Sequence, residues 1–121
     1  MCSHKPFDEV WKDIQVALSN KNSVETLVQK VRNNIIGIER DHIKLKSEKT
    51  GKIRKIPRSQ FEHVWNILAT NGHYVSRDHQ PYIHSQIICA ILALLSYIEV
   101  SYNPLTLHLK FPTKQNKHKI S

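Results

Sequence analysis

The chain holds two cysteines, Cys2 and Cys89, and three glycines, Gly37, Gly51 and Gly72. Two cysteines, one near a terminus and one inside an apolar run, make no disulfide framework and favour a reducing compartment. Three isolated glycines form no phosphate-cradling loop, which sets nucleotide hydrolysis aside. Acids are scarce, 10 against 18 lysines and arginines. A metal-dependent nuclease needs clustered acids with a lysine. Only Glu39, Asp41, Glu48 and Lys49 come near that pattern, and the turns between them keep them off one strand face. The oiliest run, residues 87–95, is far short of the about 20 residues that span a bilayer. It reads as a buried helix, and no membrane partner is expected. No apolar stretch follows the N-terminal MCSHKPFDEVW, so no secretory leader is expected and the location reads as cytoplasmic.

What the chain does have is positive charge. Over 121 residues the formal net charge is +8 with histidine neutral, and the pI is about 9.7. The length suits one domain with a modest core, here residues 1–111, followed by a mobile basic tail at 112–121. Such a charge balance points to a polyanionic partner.

The charge is densest within residues 35–58. From Lys44 to Arg58 there are seven basic residues and one acid, Glu48. Ile43 and Leu45 alternate with Lys44 and Lys46, and Ile53 stands between Lys52 and Arg54 beyond a Thr50-Gly51 turn. Alternate side chains of a strand point to opposite faces. The pattern therefore predicts a β-hairpin, or a three-stranded meander, with Ile43, Leu45 and Ile53 inward and Lys44, Lys46, Lys52 and Arg54 outward. Lys49, Lys55 and Arg58 fall at its turn and exit.

Around it the chain reads as α+β: an N-terminal helix, a small antiparallel sheet, two core helices and a C-terminal hairpin. Phe7, Val10, Trp11, Ile14 and Leu18 recur at helical spacing over residues 6–18. Residues 23–33 match both a β-branched strand and a helix, with the strand favoured. Asn33-Asn34 reads as a turn. Ser59-Gln60-Phe61-Glu62 fits a capping box for a helix at 59–70, stopped by Asn71-Gly72. A second helix opens at Ile83 or Ser85 and runs to Leu95. Residues 97–102, the Asn103-Pro104 turn and residues 105–111 form the hairpin, with Ile98, Val100 and Tyr102 on one face. Two helices followed by a hairpin have the order of a winged helix, in which the second helix enters the major groove. Another packing of helices on sheet satisfies the same pattern. Only the first turn of that helix, with His84 and Gln86, is polar enough to reach a base edge.

Four histidines, His63, His73, His79 and His84, cluster in sequence, but without a Cys-x-x-Cys pair or an acid-plus-histidine pattern no metal or cofactor is expected. Cys2-Ser3-His4 would bind copper or nickel only adventitiously. Cys89 lies among apolar neighbours, which keep a thiol protonated and inert.

Several stretches, Thr26-Leu27, Asn34-Ile35-Ile36, the run from Ile56-Pro57-Arg58 to Trp65, and AILALLSYIEV ending at Val100, resemble small accessory modules found beside restriction-type endonucleases in bacteria and archaea. The resemblance implies a DNA-associated role and transfers no catalytic residue. The expectation is thus a non-enzymatic nucleic-acid-binding domain, with duplex DNA favoured because the basic strands carry no aromatic stacking platform. Lys44, Lys46, Lys52, Arg54, Lys55 and Arg58 are the phosphate-contacting candidates, with Arg54 and Arg58 suited to bidentate contacts. Lys114, Lys117 and Lys119 add unspecific attraction. The rival is a protein-interaction module or accessory subunit of a larger defence-type complex, its basic face meeting an acidic partner. A catalytic role for the histidines is a third reading.

Overall fold

The computed structural model describes residues 5–76 and 84–110. The class is α+β, with three helices and two small antiparallel sheets among the described residues. Helix α1 is Phe7–Ser19, with Pro6 at its N-cap and Asp8 and Glu9 in the first turn. Those acids favour the positive end of the helix dipole. Its stripe of Phe7, Val10, Trp11, Ile14 and Leu18 is buried as the spacing requires.

Four strands follow as an antiparallel meander, β1 (Ser23–Glu25), β2 (Arg32–Ile38), β3 (His42–Ser47) and β4 (Ile53–Pro57), paired in chain order. In the stretch 23–33 the first strand lasts only three residues, and Arg32 and Asn33 already belong to β2. The turn lies between the two strands rather than at Asn33-Asn34. Thr26 closes that turn. Its backbone N–H donates to the Val31 carbonyl at 3.0 Å, and its Oγ1 accepts the Val31 N–H at 2.9 Å. Lys30 takes the left-handed conformation, φ 60°.

Helix α2 (Arg58–Asn71) starts at once after β4, and its N-cap is Pro57. The capping box is therefore not formed: no side chain caps this helix, and Ser59 lies inside the first turn. Proline sets φ −67° and ψ 149° at the cap, and the Arg58 N–H donates instead to the Asp41 carbonyl at 2.8 Å. Ser59→Ala should consequently shift stability by less than about 0.5 kcal/mol in urea denaturation, not the about 1 kcal/mol of a lost cap. At the other end Gly72 sits at φ 83° and donates its N–H to the Leu68 carbonyl, the left-handed stop.

The second sheet joins β5 (His73–Val75), β6 (Ile98–Ser101) and β7 (Thr106–Leu109) in the order β5-β7-β6. Between β5 and β6 lies α3 (Ser85–Leu92), where every residue but Gln86 is buried. It is the central core helix, but shorter than its apolar run suggests. Leu94 and Leu95 donate to the carbonyls of Ile91 and Leu92, three residues back, so the chain tightens out of the α-helix. Alternation places Tyr102 on the dry face with Ile98, yet it stands exposed beyond β6, because the strand ends at Ser101. One apolar cluster runs through both halves, from Ile14 and Leu18 through Ile43, Leu45 and Ile56 to Phe61, Leu68, Ile91 and Leu107. Among the described residues no helix is long and apolar enough to cross a membrane.

Asp13 of α1 ties that helix to the approach to β6. Tyr97 Oη donates to its carboxylate at 2.7 Å and Lys5 Nζ at 3.0 Å, while the ammonium sits 4.4 Å from the Tyr97 ring centre. Burial works to raise the Asp13 carboxyl, but the bonds from Tyr97 and Lys5 together hold it below its ordinary value. Burial first, and then the Asp13 charge, push the Tyr97 phenol up. The depressed carboxyl contributes stability above its ordinary pKa of 3.8, lost as pH falls through the folded value. The raised phenol contributes stability below its ordinary 10.0, lost as pH rises beyond it. Tyr97→Phe should cost about 1 kcal/mol at pH 7, discounted for partial exposure. It should also flatten both the acid and the alkaline limbs of a stability–pH curve followed by urea midpoints. Unchanged limbs would remove the pair from the pH dependence.

Candidate nucleic-acid interface

The register of the four-stranded sheet decides which basic residues act together. Lys46 pairs with Ile53, Lys44 with Lys55, Leu45 with Arg54, and Ile43 with Ile56. The inner face is therefore Ile43, Leu45, Arg54 and Ile56, and the outer face is Lys44, Lys46, Ile53 and Lys55. This corrects the sequence expectation at two positions. Ile53 points outward and is 60% exposed, and Arg54 points inward. The core residue of β4 is Ile56, fully buried. The five-residue connection from Glu48 to Lys52, closed by Ser47 and Lys52 and turned by Gly51 at φ 73°, sets this register. A shift of one residue in it exchanges the two faces.

Two rows cross the outer face. One runs Ser23, Asn34, Lys46, Ile53, and the next Gly37, Lys44, Lys55. A one-residue bulge at Ile36 separates the rows on β2 and leaves Ile36 exposed. Lys44 and Lys55 stand directly opposite each other. Like charges placed so destabilise an antiparallel pair. Among the described residues Lys44, Lys46, Lys52 and Lys55 make no ion pair. Among the described residues, the acids Glu39 and Asp41 come near this face. Glu39 reaches over Gly37, where a Cβ would come within 3.1 Å of its carboxylate. Asp41, in the β2–β3 turn, is held below its ordinary pKa by the His42 ring and also by Lys55.

Arg58 does not join this surface. Its guanidinium pairs with Asp8 and lies 5.0 Å from the centre of the Phe7 ring, tying α2 to the start of α1. Lys52 sits in the β3–β4 turn. Arg54 instead lies on the side of His84 and Gln86, at the start of α3. Burial first, and then the Arg54 charge, hold the His84 imidazole below its ordinary value. The eight sequence candidates thus divide into an outer set (Lys44, Lys46, Lys55, with Lys52 at the edge), an inner set (Arg54, His84, Gln86) and Arg58, which is engaged in packing.

The inner set borders two polar residues, Asn33, which the sequence suggests for a turn, and Ser47, which it does not mark, paired across β2 and β3 and each 2% exposed. Their signal is strand parity: both share it with Leu45. His79, Cys2, His4, Phe111 and the tail lysines 114, 117 and 119 lie outside the described residues. Among the described residues no group of three metal-ligating side chains forms. Burial pushes the Cys89 thiol up to about 12, so it stays protonated. No protein-family model, no curated protein and no solved structure matches the chain.

Proposed function

We propose that the outer face of the four-stranded sheet binds the phosphate backbone of duplex nucleic acid, with duplex DNA favoured, and that the chain is a non-enzymatic accessory module. The observation that carries this reading is the Lys44–Lys55 pair, two like charges set face to face with Lys46 beside them and, among the described residues, held in no ion pair, although the Asp41 charge reaches Lys55. A free sheet gains nothing from that arrangement. A row of phosphates removes the repulsion and releases counterions. The four strands carry no Phe, Tyr or Trp, so the face lacks the stacking platforms of single-strand binders.

The order α2, β5, α3, β6, β7 supports a winged-helix-like second half, but burial of α3 keeps that helix out of the recognition role. The contact is assigned to the sheet, which leaves no base-reading element and predicts weak sequence preference. The exposed Ile53 amid the lysines favours a second reading, an acidic protein partner with an apolar anchor.

The test is a mobility shift of one duplex at two salt concentrations. With three to four phosphates contacted, affinity should fall about 40- to 150-fold between 50 and 200 mM salt. A salt-independent shift, or none at low salt, would exclude the phosphate surface.

A further inference from the structure

The inner end of the four-stranded sheet is polar where the rest of that face is apolar. Asn33, Ser47 and Arg54, with Gln86 from α3, line a cavity of about 270 Å³, near the low end of small-ligand sites, which start at about 300 Å³. Lys49 stands on its wall, and no carboxylate lines it. Asn33 Nδ2 donates to the Val31 carbonyl at 3.1 Å, which leaves Oδ1 with no partner, although the residue is almost wholly buried. Gln86 Nε2 donates to Ser76 Oγ at 3.5 Å, and its Oε1 is likewise buried without a partner. Two orphaned acceptors at one site are costly in a chain that gains nothing from them. They call for a ligand that brings N–H donors. Arg54 and Lys49 call for one that also brings an anion. Ser47 Oγ accepts the Thr50 N–H at 3.4 Å, so its own proton is available to an anion's oxygen.

We propose that this cavity binds a single adenine nucleotide, its amino edge on the amides of Gln86 and Asn33 and its phosphate on Arg54 and Lys49. A glutamine or asparagine amide matches the adjacent donor and acceptor of the adenine edge, and uracil places a carbonyl oxygen where that edge has its donor. An arginine fork suits the phosphate. Both amide oxygens are closed to solvent, so the base meets them only after the amides turn about their terminal torsions, exchanging the Asn33–Val31 and Gln86–Ser76 bonds for bonds to the ligand. The site faces away from the outer lysines and stands independently of the duplex-binding reading. A free mononucleotide and the end of a strand share this chemistry.

The experiment is titration calorimetry of the full chain with AMP, UMP, adenosine, inorganic phosphate and a 5′-phosphorylated trinucleotide beginning with adenosine, together with NMR of the side-chain amides. AMP should bind one site about tenfold or more tightly than UMP, and more tightly than adenosine or phosphate. The Asn33 and Gln86 side-chain amide signals should move with AMP and not with UMP. Gln86→Met should bring AMP to the level of UMP, and Arg54→Gln to that of adenosine. A trinucleotide tighter than AMP places the ligand at a strand end; an equal or weaker one identifies the free nucleotide. Lys46→Glu with Lys55→Glu should leave AMP binding intact, which separates failure here from failure of the outer face. Absence of saturable AMP binding, or equal affinity for AMP, UMP and phosphate, overturns the proposal. Should Gln86→Met fail to fold, the amide shifts in the unaltered chain decide.

Discussion

Reversing Lys46 and Lys55 to glutamate is expected to remove duplex affinity by about two orders of magnitude at low salt while leaving the domain folded. Each reversal frees one phosphate and adds a repulsion, so the slope of log affinity against log salt should flatten by about 0.9 for each phosphate no longer neutralised. Unfolding offers no alternative explanation, because the register sets the opposite sign for stability. Lys55→Glu turns the Lys44–Lys55 repulsion into an attraction. A favourable cross-strand pair is worth about 0.2–1 kcal/mol. The variant should therefore melt slightly higher than the parent and bind far worse. Arg54→Glu should leave duplex binding nearly unchanged, since Arg54 is on the other face. Reversals at the exposed Lys12 and Lys21 are the controls. If they weaken binding as much as the pair does, the attraction belongs to the net charge and not to the sheet. If the double variant falls in stability, the opposed lysines are not the repulsive pair the register implies.

The largest stability effect is expected at Ile91→Ala. Ile91 is fully buried in α3, a helix enclosed on nearly every side. Truncation there forfeits transfer free energy and leaves a cavity that packed neighbours close only in part, at a cost of about 2–5 kcal/mol. Against a typical total of about 5–15 kcal/mol, a fall in urea midpoint of a third or more is the expected reading. Ile53→Ala is the matched contrast. Its side chain is mostly exposed on the lysine face, so stability should stay within about 0.5 kcal/mol. Equal losses at the two isoleucines would mean that Ile53 is covered and the outer face is not open.

The helices are legible because their buried positions repeat without interruption. Phe7 to Leu18 and Phe61 to Leu68 each form a stripe that no strand could bury. The strands are less legible, and the reasons are local. The bulge at Ile36 lets β2 change phase, so that Asn33, Ile35 and Ile38 all face inward. Strict alternation would place Ile35 and Ile38 on opposite faces, and the Asn33-Asn34 pair then looks like a turn. In β4 both Ile53 and Ile56 are apolar and three residues apart, so only one can face the core. Composition does not choose between them; the length of the connection from β3 does. That choice also moves Arg54 from the lysine surface to the cavity. Ser59 misleads for another reason. A capping motif works only if the helix begins after it, and Pro57 starts α2 early. Arg58 looks like a free cation in its own stretch, and its partner Asp8 lies 50 positions away, beyond any local pattern.

The strand orders have a consequence for how the chain meets other copies of itself. A sheet edge exposes unpaired backbone donors and acceptors that can template another chain. Here the edge strands are β1 and β4 in one sheet and β5 and β6 in the other. β1 and β5 have three residues each and β6 has four. The longest edge, β4, carries the Lys55 ammonium and ends on Pro57, which has no N–H to offer. The seven-residue β2, the longest strand among the described residues, is sealed between two neighbours. Among the described residues, growth by strand addition therefore finds short or blocked templates, and sticky contacts must use the faces of the sheets instead.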